Sequence, residues 1–156
     1  MAFYFYPTYQ ENAVHTSICD TRGAWVNLSL AHTQADLIRA VLEGVAFSLR
    51  AALEVISEIT LVHQLLATGG GARSSVWLRI LADVLQTELI TPSQEEGAAY
   101  GAAILAMVGV GAIPNMDAAF KMLPIESVVV QPQANPSYEA AFKRHNLLYD
   151  ALKAIR

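Results

Sequence analysis

Cysteine is nearly absent. Cys19 stands alone in 156 residues, which excludes an internal disulfide and leaves no Cys-X-X-Cys pair for a zinc ribbon or a redox site. That usage fits a reducing cytoplasm. Histidine is almost as sparse: among His15, His32, His63 and His145 no two lie three or four residues apart, the spacing of a helical metal site, so no protein-held metal is expected. Charge is scarce too. Only 15% of the residues are charged, ten basic and fourteen acidic for a net −4, and no basic run exists to neutralise successive phosphates. Nucleic acid is therefore not expected as a partner. The opening MAFYFYPTYQ has no basic segment and is broken by Pro7, so it does not read as a secretory signal.

What is plentiful is apolar surface, at 54% of residues, too much for a disordered tail or a solvated linker. The length suits one domain spanning 1–156. One stretch needs testing against a membrane. No charge occurs from Gly97 to Met116, and Gly97 and Gly101 form a GxxxG step. Gly109, Gly111 and Pro114 interrupt it, however, and alanine fills much of the rest, so the expectation is a buried helix with close neighbours and no membrane span.

Apolar side chains at Leu37, Ile38, Val41, Leu42, Val45, Ala46, Leu49 and Leu53 repeat at three-and-four steps, which predicts a long amphipathic helix ending near Ile59. Thr33, three residues before Asp36, caps its start. The apolar run Leu65 to Thr68 predicts a buried strand stopped by Gly69, Gly70 and Gly71. A helix follows with Trp77, Ile80, Leu81, Val84 and Leu85 inward and Ser74 or Ser75 as cap. Glu88 to Thr91 reads as a second strand ended by Pro92. Ser93 and Glu96 form a capping box for an alanine-rich helix from about Gln94 to Val108, closed by Gly109. Edge strands are expected at Val26 to Leu30 and Ser127 to Val130, with a polar, proline-marked connection after Gly111. A last helix is capped by Asn135, with Pro136 in its first turn and a stripe from Tyr138 through Phe142, His145 and Leu152. Helices alternating with strands predict an α/β fold with parallel neighbours.

The chemistry-bearing stretch is TGGGARSS, Thr68 to Ser75. Glycines between a strand and a helix either make a tight turn and nothing more, or let a ligand approach backbone amides at the positive end of a helix. The pattern is neither GxGxxG nor a P-loop, since Ser74 replaces the last glycine of the first and no lysine follows for the second. Its place beyond the carboxyl end of a strand favours a ligand. Glu95 and Glu96 lie in the first turn of their helix, where capping explains them better than acid or base catalysis.

Taken together, GGGARSSVWLRILADVL (Gly69 to Leu85), EEGAAYGAAILA (Glu95 to Ala106), RGAW (Arg22 to Trp25) and RAVLEGVAFSLR (Arg39 to Arg50) resemble the C-terminal domain of FGGY carbohydrate kinases, most of all the xylulokinases. The resemblance runs from about Arg22 to Asn115, and more weakly to the end. It implies an incomplete ribonuclease-H-like lobe of the actin-like ATPase superfamily, with long packing helices. It also implies ATP and Mg2+ as cofactors, the metal held mainly by ATP and by a further domain. The family's adenosine motif falls on Gly69, Gly70, Gly71 and Ala72, with Ser75 close to the adenine, and EEGAAYGAA matches a helix at the hinge between domains. The sugar-binding domain, the catalytic aspartate and the phosphate-binding hairpin would precede Met1. Asp20, Asp36 and Asp83 match no catalytic position, so the expectation is an ATP-binding part of a ketose kinase, acting on a sugar such as D-xylulose only within the complete enzyme and inactive alone. After Pro7 the chain has Gln10, Glu11, Asn12 and Ala13 where xylulokinases carry Gly-Glu-Arg. The alternatives are a non-enzymatic interaction module that keeps the scaffold and forms a homodimer through an apolar sheet edge, and a small anion-binding protein.

Overall fold

The computed structural model describes residues 4–6, 23–92, 97–122 and 127–153. Two short strands, β1 (Tyr4–Tyr6) and β2 (Ala24–Val26), pair antiparallel with Phe5 opposite Trp25. Helix α1 (Gln34–Ser57) follows, and β1 lies beside it. Strand β3 (Gln64–Leu66), a 3-10 turn over Gly70–Arg73, helix α2 (Ser75–Leu85) and strand β4 (Glu88–Pro92) form one crossover unit. Then come α3 (Gly97–Gly109), α4 (Met116–Met122), β5 (Ser127–Val130) and α5 (Pro136–Lys153). The sheet order is β3-β4-β5, parallel between β3 and β4 and antiparallel between β4 and β5.

Helix α1 begins as its sequence dictates. Thr33 Oγ1 accepts from the Asp36 amide while Asp36 Oδ2 accepts from the Thr33 amide at 2.8 Å, a reciprocal cap that satisfies two otherwise orphaned donors. Those hydrogen bonds hold the Asp36 carboxyl below its ordinary range, so Asp36 is a structural group. Helix α5 starts with a single side-chain cap, Asn135 Oδ1 accepting from the Ser137 amide at 3.0 Å.

The main core lies where α1, α2 and α5 meet one face of the sheet. Ala46, Phe47, Leu78, Ile80, Leu81, Ala82, Val84, Leu89, Tyr138 and Phe142 are buried there. Two networks tie α1 to α5. The Arg50 guanidinium donates to both Glu139 carboxylate oxygens, at 2.6 and 2.9 Å, and stands 4.4 Å over the Phe142 ring. Arg39 donates to Glu43 and to the Tyr138 hydroxyl, which itself donates to Glu43 at 3.1 Å. The stretch from Arg39 to Arg50 thus clamps the two helices together. Asp83 is structural too, since it accepts from the Gln133 amide at 2.9 Å and steadies the approach to α5.

Several expectations are corrected. The strand placed at Val26 to Leu30 lies earlier, because Asn27 takes a left-handed φ of 67° and ends β2. The strand before the glycines is not fully buried. Period-two alternation turns Leu65, Leu89 and Val130 to the core and Leu66, Ile90 and Val129 to the other face, where Leu66 is 66% and Val129 47% exposed. Gln64 and Gln131 both donate to the Glu88 carboxylate at the margin of that open face. The polar connection after Gly111 contains α4, capped by Asn115 Oδ1 on the Ala118 amide and packed through Ala119 against Ile104 and Ile113. The left-handed residue beyond α3 is Gly111 (φ 75°) rather than Gly109. Nor is α3 buried all round: Leu105 is 62% exposed, Val110 just beyond its end is 80% exposed, and a Cβ on Gly101 would meet nothing within 4 Å among the described residues. No helix among the described residues is long and apolar enough to cross a membrane. The capping box at Ser93 and Glu96, and Glu95 beside it, lie outside the described residues.

Candidate functional site

The glycine loop leaves β3 at its carboxyl end, and because β4 runs parallel, the same end of the sheet carries the exit of β4. Ligands of open α/β sheets collect at such an end. The turn is held by two internal bonds, from the Ala72 amide to the Gly69 carbonyl (3.1 Å) and from Ser74 to Gly71 (3.2 Å). Ser74 settles the question of the cap: its Oγ accepts from the Trp77 amide at 3.2 Å. Ser75 is the first helical residue and exposed, so its hydroxyl is not spent on capping. The first turn of a helix carries amides without intrahelical partners and the positive end of the peptide dipoles, a setting that attracts an anion.

Each glycine has a different physical reason. Gly69 has φ +81°, a conformation costly for any residue with a Cβ. At Gly71 a Cβ would lie 3.2 Å from both Cδ1 and Nε1 of Trp77, so the backbone is pressed onto the indole. Gly70 has neither constraint: its φ is not left-handed, and a Cβ there would meet nothing within 4 Å. The fold does not need a glycine at 70. Among the described residues nothing lies within 4 Å of a Cβ built on Gly69 or Gly70, and both are exposed, whereas Ala72 packs against the core.

The structure therefore brings Gly69, Gly70, Gly71, Ala72 and Ser75 together on one surface turn at the start of α2. Sequence reasoning missed Trp77 as part of this turn. The signal was the six-residue spacing from Gly71, since a helical side chain leans back over the preceding turn. Among the described residues no group of three His, Cys, Asp or Glu side chains is placed to hold a metal ion.

Residues 1–110 match the model of the FGGY family of carbohydrate kinases, C-terminal domain. The xylulose kinase of Bacillus subtilis (strain 168) is 31% identical over 137 residues, covering 86% of this chain and 28% of the relative. The L-xylulose/3-keto-L-gulonate kinase of Escherichia coli (strain K12) is 38% identical over 127 residues, covering 80% and 26%. A crystal structure of a xylulose kinase from Brucella ovis superposes with TM-score 0.81 at 29% identity, over 100% of this chain and 33% of that one. The chain thus spans about a quarter to a third of the length of these relatives. The architecture is part of an actin-like ATPase lobe, as the motifs implied.

Proposed function

The chain belongs to the FGGY family of carbohydrate kinases, and from that premise we propose that its glycine loop holds the nucleoside end of ATP for phosphorylation of a ketose. The observation that supports this reading is the open side of Gly70, where a Cβ would meet nothing within 4 Å among the described residues, so that a ligand has room to lie against the backbone. Gly69, Gly71 and Ala72 shape the turn, and Ser75 offers a hydroxyl beside it.

ATP supplies the γ-phosphoryl group, and the attacking sugar hydroxyl requires a base that belongs to the sugar-binding part of the complete enzyme. This chain's share is orientation: a nucleotide fixed at the loop keeps its phosphates in register for in-line attack. In this reading Mg2+ would be held mainly by ATP and by a further domain, and would neutralise charge on the phosphates. The exposed apolar Leu105 of α3, with Val110 just beyond its end, suits the hinge between the two domains, whose closure excludes water from the transfer. The substrate is a ketose of the xylulose kind, the setting is cytoplasmic, and the 156-residue chain alone does not turn over sugar.

Calorimetry tests the site. ADP and ATP are expected to bind while inorganic phosphate at equal concentration does not. Gly70→Leu is expected to raise the ADP Kd roughly tenfold or more, about 1.4 kcal/mol, with the melting temperature within about 2 °C of the parent. Gly69→Ala is expected to do the reverse, losing roughly 1 kcal/mol of stability through its φ. Equal ADP affinity in Gly70→Leu would refute the reading. A ketose-dependent release of ADP by the chain alone would refute its dependence on a second domain.

The exposed Leu66 and Val129 on the sheet favour one second reading, a non-enzymatic module that forms a homodimer through this face. A dimer by sedimentation, together with no heat of ADP binding, is the result it requires.

A further inference from the structure

We propose that Trp77 is a positioning residue for the nucleotide, a floor that fixes the path of the glycine loop before the ligand arrives; this rests on the nucleotide reading above. Three consecutive glycines have the widest backbone freedom in the chain, and ordering them on binding would consume affinity. The structure limits that freedom from below. Trp77 lies on the first turn of α2, and its amide donates to the Ser74 Oγ that opens the helix, so cap and indole are placed by one residue pair. The ring leans back under the loop until Gly71 stands on its pyrrole edge, with 3.2 Å from the Gly71 Cβ position to Cδ1 and Nε1.

The indole is itself wedged. It packs, half-buried, against the main buried cluster, and Ala72 packs against the same cluster. The loop is therefore anchored at Gly71 and Ala72 while Gly69 and Gly70 face outward. Anchoring two of four residues reduces what the ligand must order, which is how preorganisation raises affinity without any new contact. The helix pattern by itself assigns Trp77 simply to the core face.

The chain contains two tryptophans, Trp25 and Trp77. In a Trp25→Phe background, Trp77 is the only tryptophan, and with selective indole excitation titration with ADP is expected to shift its emission saturably at the calorimetric Kd, whereas inorganic phosphate leaves it unmoved. Trp77→Leu is expected to raise the ADP Kd about tenfold, and Trp77→Phe, which keeps a flat ring under Gly71, less than about threefold. If ADP binds by calorimetry while the emission stays fixed, or if Trp77→Leu binds ADP like the parent, the floor is refuted and the nucleotide site stands. Absence of ADP binding in the unaltered chain removes both. Where Trp77→Leu does not fold, the emission titration and Trp77→Phe decide the matter, and a Phe variant as weak as a tenfold loss counts against the floor.

Discussion

Replacing Phe47 by alanine is expected to cost about 3–5 kcal/mol of folding stability, a large part of the roughly 5–15 kcal/mol that holds a domain together. Phe47 is 2% exposed at the crossing of α1 and α5. Its ring meets Tyr138 edge-on at 6.1 Å between centroids, Phe142 at 6.0 Å and His145 at 5.4 Å. Truncation removes the apolar area and leaves a hole that three rings, pinned by the Arg50–Glu139 pair and the Arg39–Tyr138 bond, cannot collapse to fill. Phe47→Leu keeps most of the volume and is expected to lose only about 1–2 kcal/mol. Urea unfolding followed by circular dichroism reads both values. A Phe47→Ala cost below about 1.5 kcal/mol would show that α5 does not dock on α1 as described.

The second large effect is a loss of stability in mild acid. His145 is fully buried beside Phe47, and burial pushes its pKa from the ordinary value near 6.5 down to about 4. The sign follows from linkage. Above about pH 6.5 the imidazole is neutral in both states, and its full contribution is present. As the pH falls from there toward 4, the unfolded chain takes up a proton that the folded chain refuses, and stability declines across that window. The total is on the order of 3 kcal/mol. Carboxylates with depressed pKa values, such as Glu139 beside Arg50, add their loss at lower pH, below the ordinary carboxylate range. Because the windows differ, the pH slope of unfolding between about 6.5 and 4.5 isolates His145. In His145→Leu that slope is expected to flatten, whatever the variant's absolute stability, and an unchanged slope would place the imidazole in contact with water.

Local signals were readable wherever neighbours in sequence are neighbours in space. The Thr33 and Asp36 box, the Asn135 cap and the strand–glycine–helix order all depend on residues within four positions, and each appears as its pattern required. Helix α4 escaped because its seven residues are too few to show a period, though Asn115 followed by Asp117 carried the cap signal. The open face at Leu66 and Val129 escaped for a different reason: a run of apolar residues states that a strand is wanted inside, but not whether both of its sides are covered.

For the site, sequence alone determined the glycine turn, its place between β3 and α2, and the family through the order of its motifs, since all of these are encoded along the chain. Only the tertiary structure separated the three glycines by cause, put Trp77 beneath Gly71, and assigned Arg39, Arg50, Asp36 and Asp83 to holding the fold. The physical reason is that a residue's role depends on what lies across from it. A left-handed φ, a ring that would stand 3.2 Å from any Cβ at Gly71, or a carboxylate 89 positions along the chain leaves no mark on the local pattern of residue types.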